Sequence, residues 1–328
     1  MKEREIRNID VLDRYLKMVE KDMKTFFELK SFVKVGCPSC GGTETVDEFE
    51  KANFRYVTCK GCGTLFANPR PPFEALKKFY SDSPSATFWV NEFFKPMAEA
   101  RREKIFKPRA QYIAELLGTG HEKHVIGDIG AGFGLFLEEL RKISPKNDYV
   151  AIEPSPEMAR ICTGKGFKSV ASSFEETEGM NEAFDMLTGF ELLEHLFDPL
   201  AFLKKANFML KRGAYIFLTT LNSKGFDIQL LWERSRSVVP PHHLNFFNIH
   251  SGKFLLEKAG FEIIEISTPG RLDWDIVEGT IRKEGIDVGR FWKTLAREGD
   301  EECKSALQDW ISKNNLSSHM WILAKRHD

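Results

Sequence analysis

The stretch Val125–Gly134, V-I-G-D-I-G-A-G-F-G, constrains this chain more than any other. A short apolar strand runs into Asp128 and then into Gly130, Gly132 and Gly134, with Ala131 between the first two. Without Cβ atoms the backbone can press against a ligand where a parallel strand ends and a helix begins. The spacing is G-x-G-x-G. A dinucleotide fingerprint puts its third glycine one position later, where this chain has Leu135. Phe133, Phe136, Leu137 and Leu140 give the following helix an apolar face that can lie on a sheet. Glu153 stands directly after the next apolar strand, Tyr149–Ile152, where a carboxylate can take the two hydroxyls of a ribose. An ordinary strand-to-helix turn is the plainer alternative, but it seldom needs glycines this densely placed.

The rest of the composition sets bounds. A chain of 328 residues makes one large domain or about two of ordinary size. Its 47 basic and 48 acidic residues balance, which gives no support to a nucleic-acid partner held by bulk charge. No apolar run approaches the roughly 18 residues of a membrane span, and the charged start, M-K-E-R-E-I-R, is expected to lead into an amphipathic helix rather than to be a secretory leader. Four of the six cysteines are clustered as metal ligands, so the expected compartment is the reducing cytoplasm.

Four regions follow from patterning. Residues 1–35 hold an amphipathic helix with its stripe at Ile9, Leu12, Leu16, Val19, Met23 and Phe26. Such a stripe either packs on its own protein or forms a homodimer. Residues 36–70 carry Cys37-Pro-Ser-Cys40 and Cys59-Lys-Gly-Cys62, about 18 residues apart. Two such knuckles place four thiolates around one zinc ion, leaving no open position, so this zinc ribbon is expected to be structural and to have a core separate from the sheet. Residues 71–107 read as a helical, aromatic-rich cover broken at Pro84, Pro96 and Pro108.

Residues 108–328 alternate strand and helix in the α/β manner, with strands at His124–Ile129, Tyr149–Ile152, Ser169–Ala171, Phe184–Thr188, Tyr215–Thr220, Phe261–Ser267 and Met320–Ala324. Insertions at 221–249 and 268–319 leave the carboxyl edge of this sheet, where open α/β sheets bind ligands, and are expected to wall an acceptor pocket.

With D-I-G-A-G-F-G, the strand-end Glu153, F-D-M-L-T-G-F-E-L-L-E-H-L at 184–196 and L-K-R-G-A-Y-I-F-L-T-T at 210–220, the chain from about Lys107 onward resembles the class I S-adenosylmethionine-dependent methyltransferases. The resemblance implies a Rossmann-like seven-stranded sheet of order 3-2-1-4-5-7-6, helices on both faces, and an antiparallel seventh strand. It also implies cofactor contacts at Asp128, Gly130, Ala131, Gly132, Gly134 and Glu153, at Ser173 and Phe174 near the adenine, and at Phe190, Glu191 and Leu192 near the methionine portion. A solvated helix start is the alternative for Glu191 and Glu194.

Methyl transfer from a sulfonium needs an aligned acceptor and, for a hydroxyl, a base. His243 ranks first as base, His195 second, and Glu194 as an orienting partner. Each histidine has a plain alternative: His195 as a backbone-bonded structural residue, His243 as a helix cap or loop anchor. P-P-H-H-L-N-F-F resembles the P-x-H-L-x-F-F run of a broad subgroup that methylates small molecules, sugars among them, with His242 as an extra. T-G-F-E stands where amino-directed nucleic-acid methyltransferases have N-P-P-Y. Cys162 and Cys303 lack the Pro-Cys setting of a cytosine-C5 nucleophile.

A zinc ribbon before such a domain resembles sugar C- or O-methyltransferases and also zinc-finger guanine-N1 ribosomal RNA methyltransferases. The expected function is methyl transfer to a small polar acceptor, a sugar or sugar nucleotide. An RNA base methyltransferase and a non-catalytic cofactor-binding scaffold are the alternatives.

Overall fold

The structure is a computed structural model that describes residues 1–118 and 122–327. Eleven strands form two sheets among these residues. The larger is built from β4 (Val125–Ile129), β5 (Asp148–Ile152), β6 (Lys168–Val170), β7 (Phe184–Phe190), β8 (Leu210–Leu221), β10 (Phe261–Ser267) and β11 (His319–Arg326), in the order β10-β11-β8-β7-β4-β5-β6. Counting these seven alone along the chain, the order is 3-2-1-4-5-7-6. β11 runs antiparallel between β8 and β10, and the other pairs, from β8 to β6, are parallel. The parallel strands are buried on both faces, which is why they read as continuous apolar runs.

The smaller sheet has four strands: β1 (Thr45–Lys51), β2 (Phe54–Cys59), β3 (Leu65–Ala67) and β9 (Asn245–Phe246). Ala52 and Asn53 both sit at positive φ and close a two-residue hairpin between β1 and β2. The fourth strand comes from the P-P-H-H-L-N-F-F run: Leu65 pairs with Phe246 and Phe66 with Asn245. The ribbon is therefore not a separate body. Phe54, Tyr56 and Leu65 share one buried cluster with Leu221, Ile228, Val238, Leu244 and Phe246. Each such large side chain contributes roughly 1.5–3 kcal/mol when removed from water, so the shared core binds the two parts strongly. Arg70, fully buried, ties the same joint by donating to the carbonyls of Ala67, Phe197 and Leu244 and to Asn245 Oδ1.

The N-terminal helix Ile9–Phe26 starts at Asn8, whose side chain accepts from the amides of Asp10 and Val11. Its stripe is covered by its own chain: Leu12, Tyr15, Val19 and Met23 are buried in the cluster that holds the ribbon, and Leu16 and Phe26 pack against it. Ile9, Leu16 and Phe26 keep part of their surface.

The cover differs from expectation. Residues Pro84 to Leu117 form one helical run that passes through Pro96 and Pro108, with wide π-type turns at Trp89–Phe94 and Arg102–Phe106 just before each proline. A proline lacks the N–H of a normal turn and crowds the carbonyl four residues back, and a widened turn accommodates both.

The first insertion holds the short helix Phe226–Leu231 besides β9, and the second holds helices Asp273–Glu284, Arg290–Glu298 and Glu301–Lys313. Trp274 is buried there with Leu231, Val277 and Ile6, whereas Phe291 and Trp310 lie on the surface.

Candidate active site

The glycine turn joins β4 to the helix Leu135–Ile143, and all three glycines have positive φ: +71° at Gly130, +54° at Gly132 and +70° at Gly134. Their surroundings differ. A Cβ on Gly130 would come within 3.3 Å of Leu192 Cδ2, and one on Gly134 within 3.1 Å of Cys162 Sγ. A Cβ on Gly132 would meet nothing within 4 Å, so this backbone faces open space. Ala131, mostly buried, accepts the Gly134 amide at its carbonyl.

Glu153 is buried beneath the turn. One carboxylate oxygen accepts the Gly132 amide at 2.8 Å and the other the Ser155 amide at 2.9 Å. Burial raises its pKa, and the two amides oppose that shift. Asp128, one strand residue before the turn, accepts from Thr188 Oγ1 at 2.7 Å and is pushed up to about 7, by burial first.

At the carboxyl end of β7 the chain does not start a helix. Residues 191–198 are irregular, and the next helix begins at Pro199. Glu191 adopts φ +53°, a strained left-handed conformation for a residue with a Cβ, and it is held there from several sides. Its amide donates to Thr219 O, and its carboxylate accepts from Arg109 at 3.0 Å and Thr219 Oγ1 at 2.7 Å, with His319 Nδ1 at 3.4 Å. His319 and Arg109 hold the Glu191 carboxyl well below its usual range despite burial. The His319 imidazole is raised in turn: burial opposes the shift, and Glu191 outweighs it.

Glu194 is 1% exposed, far from the solvated helix start that was the alternative for it. It accepts from Thr220 Oγ1 at 2.8 Å, and burial, with Glu191 nearby, pushes its pKa well up. His195 and His243 stand beside it with ring centroids 4.9 Å apart. One ligand atom from each of Glu194, His195 and His243 lies within 4.8 Å of the others, so the three could hold a metal ion.

His243 Nδ1 is 2.5 Å from Ser237 O and must donate to it, which leaves Nε2 as the lone pair in the neutral ring. Burial pulls His243 down to about 4 and His195 well below its usual value, further than an unperturbed imidazole would suggest. The helix Ile249–Lys258 is capped by Asn248 rather than His243. His242 turns away from this group, with its Nε2 2.6 Å from the Tyr15 hydroxyl.

Other expected positions have different tasks. Phe174 is 4% exposed and packs on Phe202 in the core, which leaves little of its ring for a ligand, while Ser173 precedes the short turn Phe174–Glu176. Phe190 lies against Phe136, with the Arg109 guanidinium 4.8 Å over its ring. Leu192 closes over Gly130 and Gly189. Arg109, Thr219, Thr220 and His319 were not singled out in the sequence. Only the two threonines carried a signal, as the end of L-K-R-G-A-Y-I-F-L-T-T.

A family model described as a methyltransferase domain matches residues 97–266, just over half of the chain. The chain belongs to this methyltransferase family. The chain is 30% identical over 154 residues to a ubiquinone biosynthesis O-methyltransferase of Aliivibrio fischeri, covering 45% of this chain and 62% of that protein. It therefore spans less than two thirds of that relative. An uncharacterized protein of Methanocaldococcus jannaschii, MJ1123, is 26% identical over 164 residues, covering 50% of this chain and 77% of that one. Among solved structures, a chain of the complex between the Haloferax volcanii Trm112 methyltransferase activator and a methyltransferase aligns with TM-score 0.50 at 12% identity, over 73% of this chain and 96% of its own. At that identity the likeness speaks for the fold, which is that of the class I S-adenosylmethionine-dependent methyltransferases.

The fold also brings Cys37, Cys40, Cys59 and Cys62 together, one sulfur from each within 4.8 Å of the others. Cys37 and Cys62 are 3.4 Å apart and Cys40 and Cys59 3.5 Å, too far for disulfides and close to the ~3.8 Å edge of a tetrahedral zinc–thiolate site. The Gly42 amide approaches Cys40 Sγ at 3.4 Å, as a knuckle requires. The site is docked on the sheet domain through Asn248 Nδ2, which donates to Cys62 O and Gly63 O.

Proposed function

We propose that the chain moves the methyl group of S-adenosylmethionine to a hydroxyl of a small polar acceptor, a sugar or sugar nucleotide, and that zinc in the four-cysteine site is structural. The observation that carries the reading is the meeting of Glu194, His195 and His243 just past the carboxyl end of β7, where the sheet's ligand edge lies. The residues at the turn fit the cofactor: the open space at Gly132 admits close approach, Glu153 offers a carboxylate for a ribose, and Arg109 offers a buried cation for a carboxylate. When bound, the cofactor supplies an activated methyl group.

The chain's own part is to orient the acceptor and take its proton. His243 Nε2 is the acceptor for that proton, and the Glu191 charge favours the imidazolium that results. A base lowered to about 4 draws a hydroxyl proton weakly, so alignment carries a larger share of the rate. Glu194 accepts from Thr220 Oγ1, and burial beside Glu191 raises its pKa.

His243→Ala should lower turnover about a hundred- to ten-thousandfold while leaving cofactor affinity nearly unchanged. The assay is S-adenosylhomocysteine release on a panel of nucleotide sugars, with calorimetry for the cofactor. Undiminished turnover in a folded variant would remove His243 as base. Salt-sensitive methylation of RNA and of no sugar would favour the RNA reading. Cofactor binding with turnover on nothing would favour the scaffold.

The 4.8 Å grouping supports a second reading, in which a divalent cation on Glu194, His195 and His243 acidifies the acceptor hydroxyl. Turnover that depends on added magnesium after chelation separates the two.

A further inference from the structure

The region beside Glu191 holds more positive charge than the chain answers. Arg7 comes from the segment before the first long helix, and Arg101 and Arg109 from the helical cover. Arg109 is paired with Glu191 at 3.0 Å and Arg7 with Glu3 at 3.3 Å. Arg101 makes no ion pair among the described residues. Its Nε is sealed from solvent without a hydrogen-bond partner, and its guanidinium lies 5.0 Å over the Phe94 ring. Burial, with Arg7 and Arg109 nearby, pushes Arg101 down to about 10. The segment that carries Arg7 is held against this part of the cover, with Ile6 in one cluster with Ile105 and Glu5 paired with Lys104 at 2.9 Å, about one turn beyond Arg101. A partly desolvated guanidinium without a counter-ion is costly unless something else supplies the anion.

The neighbourhood of His319 is polar. Asp227 Oδ1 and Ser318 Oγ are buried without partners, and burial beside Asp273 pushes Asp227 up to about 7, close to neutrality. Ser237, whose carbonyl holds His243, donates its hydroxyl to Asp227. Uncommitted hydroxyl and carboxyl groups near the histidines suit a hydroxylated molecule, and the arginines suit an oxyanion at its end.

We infer that Arg7 and Arg101 form an anion subsite that holds a phosphate or carboxylate group of the methyl acceptor. This rests on the methyl-transfer reading for its biological meaning, but the anion can be tested without cofactor. Calorimetry on the zinc-loaded full chain, with inorganic pyrophosphate in one arm and succinate in the other, identifies which oxyanion is preferred. One saturable, salt-sensitive site is expected for at least one of them. Arg101→Gln and Arg7→Gln should each weaken it about tenfold or more, with S-adenosylhomocysteine affinity unchanged. Arg212→Gln, an exposed change at the start of β8, should leave it unaltered. Arg101→Gln should lower the unfolding temperature only slightly, because the charge it removes has no ion-pair partner among the described residues and loses only its contact with the Phe94 ring. Failure of both anions to bind, binding indifferent to both substitutions, or marked destabilisation by Arg101→Gln would overturn the subsite. Anion binding without any S-adenosylhomocysteine binding would instead overturn the methyl-transfer reading and leave the subsite standing.

Discussion

Gly132 and Gly134 share a left-handed backbone, yet alanine at the two positions should fail in different ways. At either one, a Cβ in the left-handed region costs about 1–2 kcal/mol, offset in part by ~0.4–1 kcal/mol from a stiffer unfolded chain. At Gly134 the new Cβ also sits 3.1 Å from Cys162 Sγ and 3.4 Å from Phe167 Cε2, both in the core. Overpacking of this kind adds roughly 1–3 kcal/mol. Gly134→Ala should therefore be the less stable variant by about that amount. At Gly132 the Cβ meets nothing, so stability should fall little, but it would occupy the open space proposed for the cofactor. The same 1–3 kcal/mol then appears in binding, as a loss of roughly 5- to 150-fold.

Urea unfolding without ligand and calorimetry with S-adenosylmethionine measure the two effects separately. Adding Cys162→Ala should recover part of the stability lost in Gly134→Ala, because it removes the crowded sulfur. Wild-type affinity in a folded Gly132→Ala variant would refute the seat of the cofactor. Equal stability of the two alanine variants would refute the packing argument.

Glu153→Ala should weaken S-adenosylmethionine binding about ten- to a hundredfold and also loosen the turn, since its oxygens hold the Gly132 and Ser155 amides; calorimetry and unfolding together report both. Protein purified without added metal should carry about one zinc per chain by elemental analysis. Cys59→Ser should reduce turnover more than cofactor affinity, because β9 and the His243 backbone are held by the ribbon, and full turnover in a metal-free folded chain would contradict this. Asp128 has a folded pKa of about 7 against 3.8, so the folded chain keeps its proton longer and stability should fall as pH rises through that window. Asp128→Asn should therefore gain on the wild type between about pH 4 and 7, read from urea midpoints without cofactor; a pH-independent difference would show that Asp128 is not perturbed in this way.

Much of this protein is local in its sequence. The glycine turn, the alternation of apolar strands and helices, and two C-x-x-C knuckles each depend on residues a few positions apart, so spacing alone states their geometry. Glu194 and His195 belong to one short motif and could be named together. What joined them to His243 could not be read that way. The fourth strand of the ribbon sheet lies some 180 residues beyond the third, and two residues of pairing carry no periodic signal. That pairing makes part of an insertion expected to wall the acceptor pocket into a strand of the ribbon sheet, and it merges two cores that spacing suggested were separate.

The remaining surprises are of the same kind. The sequence by itself determined which groups were present: a carboxylate after the second sheet strand, two glutamates and a histidine after the fourth, two histidines in an insertion. Their chemical state was decided by tertiary structure. Arg109 and His319, arriving from the cover and the last strand, hold the Glu191 carboxyl well below its usual range, while burial beside Glu191 pushes that of Glu194, three residues on, well up. The apolar stripe of the first helix was legible, but only packing determined that it faces the ribbon of its own chain. Burial and charge pairing are sums over neighbours drawn from the whole chain, and neighbours distant in sequence leave no local mark.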